Sequence, residues 1–252
     1  RVLNEADAIY AEDTRHTLGL LNHYDIKKPL VSCHEHNENA RAEEIVNRII
    51  QGERIVFVSD AGMPAISDPG EDLVRLAHEN GILVSSVPGP SAVITALAIS
   101  GMPSGRFSFE GFLSTAKLNR KEHLDSLKND PRTLIFYEAP HKLVRTLEDM
   151  LSVFGNRKIA LCKELTKLHE TVKHTTFSQA LSDFEVVPPK GEYVLIVEGA
   201  TPKESENFTL EQAVKLALEY RAEGASVSDA AKQAAKISGF KKGDIYKMLI
   251  GD

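Results

Sequence analysis

Arg54-Ile55-Val56-Phe57-Val58-Ser59-Asp60-Ala61-Gly62-Met63-Pro64-Ala65-Ile66-Ser67-Asp68-Pro69-Gly70 joins a short apolar, β-branched run to a loop of Gly, Pro, Asp and Ser. Glu71 to Glu79 then resumes a helical pattern. A buried strand ending in such a loop ahead of a helix is where an α/β protein places a ligand. Gly62 permits positive φ, while Pro64 and Pro69 fix φ and remove donors, so the loop is more than a plain turn. It reads as the floor of a binding site.

Outward from this stretch the same unit recurs. Towards the N-terminus, Ala8-Ile9-Tyr10-Ala11 is a short strand followed by Glu12-Asp13-Thr14-Arg15-His16, with a helix from about Thr17 to His23. Pro29 to Ser32 is a strand ending in His34-Glu35-His36-Asn37-Glu38-Asn39, and Ile45, Val46, Ile49 and Ile50 mark one helix face. Towards the C-terminus, Leu73, Val74, Leu76 and Ala77 give another face. Ile82-Leu83-Val84 begins a strand that runs to Val87-Pro88-Gly89-Pro90, and Ser91 caps a helix reaching Ile99. Strand, loop and helix in repetition predict parallel strands with right-handed crossovers, their polar loops converging on one sheet edge.

Gly101 to Gly105 marks a boundary, after which a second α/β series runs. Strands are expected at Phe107 to Phe112, Thr133 to Tyr137, Lys158 to Cys162 and Tyr193 to Val197. Helices are expected at Lys117 to Lys128, Lys142 to Phe154 and Phe177 to Asp183. Lys117, Arg120 and Lys121 read as a basic, solvated helix edge. Thr201 to Asn207 is a polar linker. Beyond it the pattern is helical, with Asn207 or Thr209, then Ser226 or Ser228, as caps. From Lys232 onward five lysines face two aspartates. The expected division is 1–104, 105–200 and a helical tail at 208–252. The opening Arg1-Val2-Leu3-Asn4-Glu5-Ala6-Asp7 resembles a helix interior and predicts a further element upstream.

The 252 residues carry a net charge of −6, with 42% hydrophobic and 26% charged residues, ordinary for a soluble globular protein. That balance opposes indiscriminate polyanion binding by the whole surface but leaves room for a local basic patch. Cys33 and Cys162 stand alone, a cytosolic pattern without a disulfide or zinc framework. No signal peptide is read, and no apolar run approaches 18 residues, so no membrane span is expected. GxGxxG, GxxxxGK[ST], GxSxG and HExxH are all absent. His34 and His36 would share one strand face, but two ligands without a third are a weak metal signal, and no metal is expected.

Six motifs in order carry a resemblance. They are Glu12-Asp13-Thr14-Arg15-His16, His34-Glu35-His36-Asn37-Glu38, Ser59 to Gly70, Val87 to Ala92, Tyr137-Glu138-Ala139-Pro140-His141-Lys142, and Lys163 to Glu170. Together they resemble the ribosomal RNA small subunit methyltransferase I family, within the tetrapyrrole-methylase-like S-adenosylmethionine enzymes, over nearly the whole chain. The resemblance implies two consecutive α/β domains with a cofactor cleft between them, plus a small helical tail. It also implies a cytoplasmic homodimer that methylates a cytidine 2′-oxygen in the decoding region of 16S rRNA. The family begins with a strand and a Pro/Gly loop that this chain does not contain.

By resemblance S-adenosyl-L-methionine would be lined by Asp60, Ala61, Gly62 and Ile66, by Ser91 and Ala92 at a helix start, and by Tyr137, Leu165 and Glu192. A ribose hydroxyl needs a proton acceptor, and Asp13, His36 and Glu138 are the candidates. Arg15, His34 and Asn37 could grip phosphate or base edges, and the lysine-rich tail could add phosphate contacts. Two rivals stand beside this reading. One is a methyltransferase of the same fold acting on a tetrapyrrole or other small molecule; the other is a non-catalytic RNA- or nucleotide-binding module.

Overall fold

In the computed structural model the described residues are 1–34, 37–201 and 209–250. The expected role of His36, the expected linker between residues 202 and 207, and Asn207 as a cap lie outside them. The chain divides into two compact units, residues 1–125 with 133–198, and residues 126–132 with 199–252.

The first unit holds two sheets. The first series runs α1 (Val2–Glu5), β1 (Ala8–Ala11), α2 (Thr14–His23), β2 (Leu30–Ser32), α3 (Glu38–Ile50), β3 (Ile55–Val58), α4 (Glu71–Glu79) and α5 (Ala92–Ile99). Its three strands are all parallel, in the order β2-β1-β3. β1 is central and wholly buried, which suits its apolar Ala-Ile-Tyr-Ala run. One face of the sheet packs Ala8, Tyr10 and Cys33 against Ala42, Ile45 and Val46 of α3 and Leu73 of α4. The other packs Ile9 against Leu21 and Ile26. The Tyr10 hydroxyl, deep in this core, donates to Glu44 Oε1 at 2.7 Å and accepts from Arg48 Nη1 at 2.9 Å.

Residues 82–87 form no ladder, contrary to the expected strand. A strand is held by backbone groups paired in a ladder, and residues 82–87 have no such partners; with β3, the edge strand of this sheet, they line a cleft of about 970 Å³. Leu83 is accordingly 93% exposed.

The second series runs β4 (Phe107–Phe112), α6 (Lys117–Leu127), β5 (Thr133–Glu138), α7 (Pro140–Phe154), β6 (Lys158–Lys163), β7 (Thr171–Thr176), α8 (Phe177–Val186) and β8 (Tyr193–Val197). The five strands take the order β4-β5-β8-β6-β7, with β4 and β5 parallel and the remaining pairs antiparallel. The edge strand β7 was not expected, because Thr-Val-Lys-His-Thr-Thr lacks an apolar run. Helix α5 packs Val93, Ala96 and Leu97 onto Ile135, Ala160, Cys162, Val194 and Ile196 of this second sheet. Arg120 departs from the expected solvated edge. It is 4% exposed, ion-paired to Asp149 at 2.7 Å, and donates to the carbonyls of Ser114 and Thr115. Lys117 and Lys121 are exposed.

The second unit carries α9 (Leu210–Ala222), α10 (Val227–Ser238) and α11 (Lys242–Ile250). Thr209 starts α9 with a reciprocal capping box to Gln212, and Ser226 caps α10. Ala213, Ala217, Ala230, Ala231 and Ala234 form the core with Ile245, the alanines being small enough to let the helices approach closely. Among the described residues no helix is long and apolar enough to cross a membrane.

Candidate active site

The parallel ladders of the first sheet bring the loops after β1, β2 and β3 to one edge. After β1, Asp13 caps α2 by accepting from the Arg15 N–H at 2.8 Å. Its carboxylate also holds the Arg15 guanidinium by two bonds, at 3.0 and 2.6 Å. These contacts keep the Asp13 carboxyl well below the usual carboxylate range, which weakens it as a proton acceptor. The Asp13 N–H meets Asp60 Oδ1 at 3.2 Å, and the Asp60 N–H meets Glu12 Oε2 at 3.3 Å, so the β1 and β3 loops are cross-tied. After β2, Asn37 Oδ1 accepts from the His34 N–H at 2.8 Å. The two predicted substrate contacts His34 and Asn37 are therefore joined to each other.

The loop after β3 is held in an unusual backbone shape. Ala65 and Ser67 have φ of 66° and 60°, and Gly70 has φ of 131°. A Cβ on Gly70 would stand 3.1 Å from the Phe57 ring and 3.3 Å from Ala65 Cβ. Its N–H donates to Glu38 Oε1 at 2.7 Å, fixing the start of α4 to the start of α3. Inside this loop lies Asp68, which the sequence reading did not single out. Burial and the charge of Glu12 push its carboxyl above the ordinary value; the Ser59 hydroxyl beside it opposes this, and Asp60 adds to it. Its signal could have been the strained loop itself, since strain gathers where function needs a fixed geometry.

The second sheet contributes its own edge. In register, Phe112 pairs with Tyr137, Glu138 with Tyr193, and Lys163 with Tyr193, so Tyr137, Glu138, Leu165 and Glu192 gather at one end of the strands. Glu138 is 3% exposed; it accepts from the Ala139 N–H at 2.9 Å and the Thr146 hydroxyl at 2.6 Å. Glu192 bonds to Lys167 at 2.8 Å, and Lys167 reaches Glu164 at 3.1 Å. Leu165 packs against the cluster that includes α5.

Two approaches connect the two edges, and a third joins the β3 loop to the segment ahead of α5. The Tyr137 phenol is pushed upward by burial, opposed by the Val93 backbone N–H in the first turn of α5, and raised further by the charge of Asp68. A Cβ on Gly111, at the β4 bulge, would lie 3.5 Å from Ser67 Oγ. A Cβ on Gly62 would lie 3.9 Å from the Pro90 carbonyl. Ser91 stands at the start of α5 and its side chain makes no capping bond, which leaves its hydroxyl open to a ligand. Both cysteines are buried, and burial pushes each thiol to about 11. Neither has the character of a nucleophile at neutral pH. Among the described residues no group of three or more His, Cys, Asp or Glu could hold a metal ion.

Two successive α/β sheets with polar strand-end loops are the fold of the tetrapyrrole methylase class. The family described as Tetrapyrrole (Corrin/Porphyrin) Methylases matches residues 1–181. The methyltransferase CobJ superposes on 79% of this chain and 85% of its own with a TM-score of 0.56, at 18% identity, a likeness of fold. The chain belongs to the ribosomal RNA small subunit methyltransferase I family. It is 45% identical to the member from Xylella fastidiosa (strain Temecula1), over 97% of this chain and 90% of that one. It is 46% identical to the member from Halalkalibacterium halodurans, over 98% and 87%.

Proposed function

We propose that the protein transfers a methyl group from S-adenosyl-L-methionine to the 2′-oxygen of a cytidine in the decoding region of 16S rRNA, acting as a cytoplasmic homodimer. The observation that carries this reading is the near full-length identity to relatives named for small-subunit ribosomal RNA methylation. The loop edges fit the cofactor chemically. Asp60, Ala61, Gly62 and Ile66 would hold one side, and Tyr137, Leu165 and Glu192 the other. The open Ser91 hydroxyl and the N–H groups beginning at Ala92 suit a carboxylate. The acidic groups Glu12, Asp60 and Asp68 suit a cationic centre. When bound, the cofactor supplies an electrophilic methyl carbon.

The protein's part is to align donor and acceptor and to take one proton. Alignment alone can lower a barrier by roughly 7–11 kcal/mol. Both oxygens of Asp13 are engaged by Arg15, and both oxygens of Glu138 by Ala139 and Thr146. Asp68, with a raised carboxyl, is better matched to accept the ribose proton. Asp13 then serves to hold Arg15 towards RNA phosphate, with His34 and Asn37 beside it.

The test incubates the protein with methyl-labelled S-adenosyl-L-methionine and either unmethylated small ribosomal subunits, naked 16S rRNA or a porphyrinoid. Label in RNA is expected. Label only in the porphyrinoid overturns the substrate, and RNA binding without label overturns the enzyme.

A further inference from the structure

Around α1, α3 and α4 of the first unit the arginines are neutralised locally. Arg75 pairs with Asp72 and Glu79, Arg41 with Glu44, and Arg1 with Glu5, each one helical turn away. The second unit breaks this pattern. Residues 232–250 hold five lysines and one aspartate in a chain whose net charge is −6. Lys232, Lys236, Lys241, Lys242 and Lys247 are all exposed. None of them meets a carboxylate within ion-pair distance among the described residues.

Three of these lysines form a row. Ser228, Lys232 and Lys236 are spaced i, i+4, i+8 on α10 and share one stripe. Lys242, at the start of α11, donates from Nζ to Ser228 Oγ at 2.9 Å, which anchors its ammonium at the head of that stripe. The nearest acid on the helix, Asp229, is turned to the cap, where its Oδ2 accepts from the Ser226 hydroxyl at 2.7 Å. Successive ammonium groups thus follow the helix axis about one turn apart. Like charges at i, i+4 repel and cost the helix stability, so this arrangement gives the fold nothing by itself. Exposed Ile237 and Tyr246 on the same two helices add apolar and stacking surface.

We propose that the stripe Lys242–Lys232–Lys236 is a docking surface for an RNA strand, neutralising successive phosphates outside the active site. This rests on the reading of the protein as an rRNA enzyme. A polyanion supplies the counter-charge that the fold withholds, and counterion release makes the contact salt-dependent.

The test measures binding of full-length protein to unmethylated 16S rRNA across a salt series. Lys232→Gln/Lys236→Gln/Lys242→Gln is expected to reduce the slope of log K against log salt by about 2 and to raise Kd about tenfold or more. The kcat for methyl transfer at saturating RNA should not change. If the triple variant does not fold, Lys232→Gln/Lys236→Gln keeps the bond to Ser228 and should reduce the slope by about 1.4. An unchanged slope and Kd overturn the docking surface, whether or not the wild type methylates the RNA. Wild type that binds rRNA without methylating it overturns the enzyme reading alone, and wild type that binds no rRNA overturns both.

Discussion

At Asp68 partial burial and two neighbouring carboxylates act in one direction, and only the Ser59 hydroxyl opposes them. A carboxyl whose folded value is raised contributes stability below its unfolded value and loses it as pH rises through the folded one. Wherever it is ionised, Asp68 is therefore a burden on the fold. Asp68→Asn should raise the urea midpoint at pH 7 while lowering kcat by on the order of a hundredfold. Unchanged turnover removes Asp68 as the proton acceptor. Asp13 has the opposite sign: Arg15 lowers its folded value, so its contribution is present above about pH 4 and is lost as pH falls. Glu138 is a buried carboxylate satisfied by two donors. Thr146→Val removes one of them and should cost about 1–3 kcal/mol in denaturant unfolding. A loss under about 0.5 kcal/mol would mean that the vacated oxygen finds another donor. The Asp13–Arg15 and His34–Asn37 contacts lie within single motifs, the range over which a sequence can be read directly. The character of Asp68 was not legible, because it comes first from burial, which the fold creates, and then from Glu12, 56 positions away in the chain.

Among the elements, β1, β5 and β8 were legible because they are buried on both faces and read as unbroken apolar runs, and half-buried β3 was legible from its apolar, β-branched run alone. Edge strand β7 was not, since an edge with one solvated face has no such run. Residues 82–87 show the converse. Their apolar character predicts a strand, but a strand exists only where a neighbour supplies backbone partners, and sequence alone does not show the neighbour. Helix α2 begins at Thr14 rather than near Thr17 because the Asp13 cap recruits its first turn. The loop from Ser59 to Gly70 depends on one residue at its end. Gly70→Ala meets positive φ, the Phe57 ring and Ala65 together. It should destabilise the protein by about 1–3 kcal/mol and weaken binding of S-adenosyl-L-methionine in calorimetry. Wild-type stability and affinity would show that the loop shape is not set there.

For the whole molecule, the alternation of strand, loop and helix was enough to read an α/β fold with a helical tail. The ordered motifs were enough to read the family. The packing of α5 onto the second sheet and the burial of Arg120 were not, because both depend on segments brought together only by the fold. The α5 packing brings the first series of elements onto the second sheet, and the Arg120 contacts tie α6 to α7. The proposed transfer to a ribose 2′-oxygen leaves a product with a direct chemical signature. A methyl on the 2′-oxygen removes the hydroxyl that attacks the adjacent phosphate, so the backbone resists alkali there. Unmethylated small-subunit rRNA should be treated with the protein and S-adenosyl-L-methionine, hydrolysed in alkali and resolved nucleotide by nucleotide. One protected cytidine in the decoding region, absent when Asp68→Asn protein is used, is the predicted result. A methyl located on a base, or a uniformly cleaved ladder from RNA that carries the label, would contradict the account.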